Sequence, residues 1–218
     1  MLRKILDFAH ANGWLLLPVE VNRLVLMRLR ALIYRSSLKR SDLSLGSRPY
    51  IRGTRYIQIG SRFSAGSDLW LEAIHRYEGC TFTPQILIGN NVNVSDAVHI
   101  AATTAVYLGD GVLVGSRVII TDHNHGNYSG IQQDGPSVRP AKRPLTSGRR
   151  VIIEDNVWIG DGAVVLAGVT IGEGSIIAAN AVVSRDIPPA CIAAGAPALP
   201  IKKYDSNAKC WKRCALKI

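Results

Sequence analysis

The chain has 218 residues, of which 47% are hydrophobic and only 6% aromatic, and a formal net charge of +10. That is enough aliphatic material for one sizeable core but few large rings, which suits a narrow prism better than a sandwich. The charge is polarised: residues 1–62 carry twelve Lys/Arg against three Asp/Glu, residues 199–218 six against one, and the stretch between them eight against twelve. The basic face that a nucleic-acid binder presents is therefore missing from the middle of the chain.

Residues 1–50 form a basic, helical flank. From Val19 to Tyr34, Val21, Leu24, Val25, Leu29 and Leu32 recur at helical spacing while Arg23, Arg28, Arg30 and Arg35 interleave, and Pro18 stands near the start. Arginines interrupt every long apolar run, so no stretch approaches the roughly 20 residues that a membrane span requires. No small-residue cleavage site follows a clean apolar segment, which argues against a signal peptide. Two roles suit such a helix: covering the open end of the domain that follows, and lying on an anionic membrane surface.

From Val151 to Pro188 the sequence repeats every six residues. Ile153, Ile159, Val165, Ile171, Ile177 and Val183 form one frame, and a small residue follows four places on at Val157, Ala163, Val169, Ser175 and Ala181. Neither a helix nor a simple strand has that period; a β-solenoid does, each hexad supplying one short strand and a turn. The frame extends backwards through Ile88, Val94 and Ile100, then, after a two-residue slip, through Leu108, Val114 and Ile120, with weaker pieces at Ile51, Ile57, Ile59, Ala65 and Leu71. One solenoid is expected over 51–187, broken by a polar, Gly/Pro-rich loop at 126–150 that is long enough to be functional. A basic extension, 188–218, closes the chain. Cys80, Cys191, Cys210 and Cys214 make no CxxC pair and read as reduced thiols of a cytoplasmic protein.

Several segments together carry a family resemblance: V-H-I-A-A at Val98–Ala102, L-G-D-G-V-L-V-G-S at Leu108–Ser116, I-T-D-H-N-H-G at Ile120–Gly126, V-I-I-E-D-N-V-W-I-G at Val151–Gly160, and A-A-G-A-P-A at Ala193–Ala198. Over residues 50–203 the chain resembles the hexapeptide-repeat acyltransferases, and within them the O-acetyltransferases of bacterial lipopolysaccharide, O-antigen and capsule synthesis. The resemblance implies a left-handed parallel β-helix, a homotrimer with active sites between subunits, and acetyl-CoA as acyl donor. It implies a glycan or lipid-linked glycan acceptor, presented at the inner face of the cytoplasmic membrane.

Acyl transfer to a hydroxyl needs a base, and a neutral imidazole suits that role. The resemblance and the local register favour His125, where the chain leaves the coil; His123 is the alternative. Asp122, Asn124 and His99 are expected around the acceptor, and Asp122 or Asp134 could fix the tautomer of the base. By resemblance Trp158, Gly160, Asp161, Ala179, Ser184 and Arg185 follow the coenzyme A groove. Where many relatives carry Arg after the Gly-x-Pro-x turn this chain has Leu199, which moves phosphate recognition to Lys202 or Lys203. No metal is expected: a zinc enzyme of the γ-carbonic-anhydrase type could draw on His99, His123 and His125, but their spacing does not resemble that family. Other readings are a small free acceptor (a sugar, an amino sugar or serine) and a non-catalytic trimeric scaffold.

Overall fold

The computed structural model describes residues 2–40, 42–146 and 148–214. Two helices open the chain, α1 (Leu2–Asn12) and α2 (Leu17–Leu38), joined by a 3-10 turn at Trp14–Leu16. The sequence pattern points only to the second helix. Lys39, in the left-handed conformation, ends α2 by donating its N–H to Arg35 O and Ser36 O.

The rest of the chain winds through three parallel sheets in rotation. The first turn is β1 (Ser44–Leu45), β2 (Tyr50–Arg52) and β3 (Ile57–Ile59). The second is β4 (Ser64–Ala65) and β5 (Trp70–Ala73), then a small hairpin of β6 (Arg76–Tyr77) and β7 (Cys80–Thr81), then β8 (Gln85–Ile88). Next come β9 (Asn93–Val94), β10 (His99–Ala102) and β11 (Ala105–Leu108), followed by β12 (Leu113–Val114), β13 (Ile119–Thr121) and β14 (Val151–Ile153). The fifth turn is β15 (Trp158–Ile159), β16 (Val164–Val165) and β17 (Thr170–Ile171); β18 (Ile176–Ile177) and β19 (Val182–Val183) begin the sixth. β20 (Cys191–Gly195), β21 (Ala198–Asp205) and β22 (Cys210–Arg213) finish as an antiparallel meander on the edge of the first sheet. The winding starts at Ser44, ahead of residue 51, because Leu45 already occupies an inward position in register with Ala65.

The hexad frame is the inward-facing row: Ile153, Ile159, Val165, Ile171, Ile177 and Val183 are all buried, as are Val157, Ala163, Val169, Ser175 and Ala181 at the corners. The corners themselves are tied turn to turn. Oδ1 of Asp96, Asp110, Asp155 and Asp161 accepts the N–H of Ser67, Asn90, Asp110 and Ser116 respectively, at 2.6–2.7 Å. Each accepting carboxylate lies against the glycine just before its donor, Gly66, Gly89, Gly109 or Gly115, where a Cβ would clash with that oxygen. Glycine is required there by close approach rather than by flexibility.

Helix α2 covers the first turn with its C-terminal end. Ala31 and Leu38 are buried in the core and Tyr34 packs against it. The stripe read from the sequence is not the packed face: Val21, Val25, Leu29 and Leu32 lie on another side of the helix and are exposed.

Because the interior is one aliphatic column, a charge placed in it has no partner. Ile171→Asp would bury a carboxylate at a position with no exposure, costing several kcal/mol, against a total stability of about 5–15 kcal/mol for a domain. We expect no cooperative unfolding transition by circular dichroism; a native-like melt would show that Ile171 does not point inward.

Candidate active site

Three departures from the regular repeat fall on the same edge of the prism, between the second and third sheets. They are the hairpin between β5 and β8, the corner between β10 and β11, and the long loop between β13 and β14. The middle one explains the two-residue slip in the sequence. Inward residues recur every 18 residues from Ile153 to Ile171 but every 20 from Ile88 to Leu108. The extra pair falls at Thr103–Thr104, between inward Ile100 and Leu108, which stand eight residues apart instead of six.

That longer corner forms a nest of backbone donors. Thr103, Thr104 and Ala105 donate their N–H groups to the Asp122 carboxylate at 2.8, 2.7 and 2.7 Å, and Thr103 Oγ1 adds a contact at 3.2 Å. Asp122 is 1% exposed and also lies 2.9 Å from Nδ1 of His123. A carboxylate oxygen takes a donor, so in the neutral ring Nδ1 carries the proton and Nε2 keeps a lone pair.

His125 has different neighbours. Its Nδ1 meets the hydroxyl of Tyr77 at 3.3 Å, with the two rings edge to face. Its backbone bridges Leu145 and its carbonyl accepts from Tyr128. The Tyr77 hydroxyl also donates to Ala141 O at 3.0 Å, and Lys142 pairs with Glu78 at 3.0 Å, so hairpin and loop are fastened to each other. Asp134 accepts from Asn127 N within the loop, and the side-chain hydrogen bonds of the two histidines go to Asp122, Thr121 and Tyr77 instead.

Beneath these inserts lies a cavity of about 350 Å³, lined by Trp70, Glu72, Arg76, Tyr77, His99, Ala101, His123, His125 and Leu145, with Ile74 at its edge. A volume of that size admits one small ring. Trp70, 43% exposed, stacks on His99 at 4.6 Å and donates its indole N–H to Glu72 at 2.9 Å. Burial, reinforced by nearby His123 and opposed by Glu72, holds the His99 pKa below the ordinary histidine value, so this wall carries an uncharged imidazole at neutral pH. Of the residues expected around the acceptor, only His99 lines the cavity. Asp122 is buried behind His123, and Asn124 is exposed beside it. Trp70, Glu72, Arg76 and Tyr77 escape sequence reasoning because they are two turns away along the chain; the hairpin that breaks the frame after Leu71 is the signal that could have found them.

The residues expected along the cofactor groove divide between two edges. Trp158, Gly160 and Asp161 stand at the first corner of the fifth turn, with Ala179 directly above Gly160, where a Cβ on the glycine would come within 2.6 Å of Ala179 N. One oxygen of Asp161 is held by Ser116 N. Ser184 and Arg185 follow β19 on the edge that carries His123, two turns further on, both exposed. Lys202 is half-buried and Lys203 exposed on β21, which touches β19. Among the described residues no three His, Cys, Asp or Glu side chains converge as a metal site.

Comparison with known proteins agrees with this architecture. Residues 150–185 match the family described as bacterial transferase hexapeptide (six repeats). The chain is 39% identical over 165 residues to the "Putative lipopolysaccharide biosynthesis O-acetyl transferase WbbJ" of Escherichia coli, covering 75% of this chain and 80% of that protein. It is 30% identical over 146 residues to the galactoside O-acetyltransferase of the same organism, covering 67% and 66%. Among solved structures, a mutant of AntD, an N-acyltransferase from Bacillus cereus in complex with dTDP-4-amino-4,6-dideoxyglucose and coenzyme A, superposes with a TM-score of 0.59 at 20% identity, covering 77% of this chain and 83% of that one, which is a likeness of fold alone. With a repeat frame, a parallel three-sheet winding and a relative matched over most of its length, the chain belongs to the hexapeptide-repeat acetyltransferases.

Proposed function

We propose that this protein is an O-acetyltransferase that moves an acetyl group from acetyl-CoA to a sugar hydroxyl of a bacterial surface polysaccharide or its lipid-linked precursor. The observation that carries the reading is the Asp122–His123 pair opening onto a cavity of ring size. An indole, an imidazole and a phenol offer apolar contact to the C–H faces of a sugar, while Glu72, Arg76 and His125 offer hydrogen bonds to its hydroxyls. WbbJ and the galactoside enzyme, whose names specify O-acetyl transfer, support the same chemistry.

The base in this proposal is His123, the alternative of the two histidines, rather than His125. Only His123 has a carboxylate behind Nδ1, which leaves Nε2 to take the proton of the acceptor hydroxyl as its oxygen attacks the acyl carbon. Acetyl-CoA supplies that carbon as an activated thioester; its C–S bond breaks as the ester forms, and coenzyme A leaves as the thiol with the proton that the imidazole had taken. Asp122 is a positioning residue, and its three backbone N–H partners make it a structural one as well. Leaving three buried donors unpaired costs about 1–3 kcal/mol each, so its removal would disturb folding before it could report on catalysis.

The finer features of the family, a left-handed winding and a homotrimer, belong to the same proposal. Leu113, Trp158 and Ile176 form an outward row on the first sheet, and exposed Ile119 leads a row with Val164 and Val182 on the second. Such rows suit burial against a second copy. The cofactor residues support it too: Trp158, Gly160 and Ala179 stand on one edge, Ser184 and Arg185 on another, and two edges of a prism line one groove when the groove lies between copies. There Trp158, 49% exposed, offers an apolar wall, while Arg185, Lys202 and Lys203 offer cations for phosphates.

His123→Ala is expected to lower kcat by about 10²–10⁴ with acetyl-CoA affinity nearly unchanged, whereas His125→Ala mainly raises the KM for the acceptor. Steady-state kinetics with a purified glycan acceptor and calorimetry with acetyl-CoA check both; a larger loss from His125→Ala would return the base to His125. Separately, Arg185→Ala and Lys202→Ala should weaken acetyl-CoA binding, and more so at low ionic strength, where charge pairs are least screened. Titrations at two salt concentrations test this, and a salt-independent affinity in the parent protein would remove these cations from phosphate recognition.

A further inference from the structure

A basic recess lies at the other end of the winding, at the foot of α2. A cavity of about 570 Å³ is lined by Ser37, Leu38, Lys39, Arg40, Thr54, Arg55 and the strand Ile57–Ile59. A second, of about 490 Å³, adjoins it through Lys39 and Arg40 and adds Leu32, Arg35 and Ser36. Four cations therefore border one continuous recess, with hydroxyls from Ser36, Ser37 and Thr54 among them. Arg40 is paired with Asp42 at 3.3 Å, and its Nε is buried without a hydrogen-bond partner. Among the described residues no carboxylate pairs with Arg35, Lys39 or Arg55.

The recess is also where an exposed apolar stripe ends. Val21, Val25, Leu29 and Leu32 follow one another down α2 at helical spacing and run into Arg35, Ser36 and Lys39 on the same face. At the far end of the stripe Leu15 is 95% exposed, beside exposed Trp14 and Leu16. The helix cannot swing away from this arrangement, because Ala31 and Leu38 are packed in the core. No helix among the described residues is long and apolar enough to cross a membrane, so the stripe has the character of a surface-lying element.

We infer that this end of the protein docks on an anionic membrane, with the apolar stripe in the acyl boundary and a lipid headgroup phosphate held by Arg35, Lys39, Arg40 and Arg55. Charge complementarity chooses the occupant: an apolar strip leading into four cations, of which only Arg40 is paired with a carboxylate, fits an amphiphile whose head is an anion. Arg55 sits on the edge that carries the candidate active site, at the same corner of the first turn as His123 occupies in the fourth. Three strand spacings of about 4.8 Å separate those turns, which sets His123, at the far end of the cavity, about 14 Å from the level of Arg55 along the winding. Resting on the proposed acceptor, that offset would place the acetylated sugar a few rings out from the lipid phosphate.

The test is co-sedimentation of the full chain with vesicles of phosphatidylcholine alone and of an equimolar mixture with phosphatidylglycerol. It needs no acyl transfer, so its outcome is independent of the enzymatic assignment. Binding is expected only to the anionic vesicles, weakened about fivefold per neutralised cation, or roughly a hundredfold for Arg35→Gln/Lys39→Gln/Arg55→Gln. Lys209→Gln, at the opposite end, should leave it unchanged, and Leu29→Gln/Leu32→Gln should weaken it with no change in oligomeric mass. Equal binding to both vesicle types, or equal losses from the triple variant and Lys209→Gln, would overturn the proposal. So would a Leu29→Gln/Leu32→Gln variant that keeps vesicle binding but loses mass, since the stripe would then cover a second copy. Saturable binding of inorganic phosphate with no affinity for vesicles would identify a soluble anion instead.

Discussion

The structure depends on parallel pairing between each strand and the strand one turn away. That pairing fixes every inward side chain directly above its counterpart, so Ile120 stacks on Ile100 and Leu71, and Ile171 on Ile153 and Leu108. Such a column tolerates neither a slip within a strand nor a side chain of the wrong size, because an error of one residue would turn the inward face outward. Variation is left to the corners. The Gly–Asp contacts tie four of them shut, each carboxylate accepting a backbone N–H that would otherwise go unpaired just beyond the end of a strand.

One edge departs from that pattern, and it carries the hairpin, the widened corner and the long loop around the cavity. Two extra residues at Thr103–Thr104 open a corner wide enough to present three N–H groups, and the Asp122 carboxylate fills it from the next turn. The device resembles the other corners, a carboxylate received by backbone donors of the neighbouring turn, but here one oxygen also meets a histidine. A structural tie thereby also orients an imidazole at the cavity wall. The hairpin and the long loop leave the prism on either side of this corner, and their mutual bonds through Tyr77 and Glu78 close a cavity over His123.

The two ends of the winding differ in how they are covered. At the C-terminal end β20–β22 continue the first sheet as an antiparallel meander, whereas at the other end α2 lies over the first turn with apolar residues on two faces. One face meets the core. The other, with a basic recess at its foot, accounts for a sequence that carries far more apolar residues than the helix buries.

The sequence by itself determined the repeat and therefore the inward row, because a period of six, written in Ile153, Ile159, Val165, Ile171, Ile177 and Val183, is a local property that needs no knowledge of distant contacts. It marked the long loop, and its two-residue slip after Ile100 recorded the widened corner without revealing its use. It also offered His123 and His125 as candidates for a base, with local spacing favouring the second, since that residue stands where the chain leaves the coil. Their different surroundings come from the tertiary structure: Thr103–Ala105 and Tyr77 lie about 20 and 48 residues back along the chain from the histidines near which they stand, and hydrogen-bond partners brought together by winding leave no periodic trace. The same holds for the foot of α2, where Arg55 joins Arg35, Lys39 and Arg40 because the first turn closes beneath the helix, an encounter set by packing rather than by spacing.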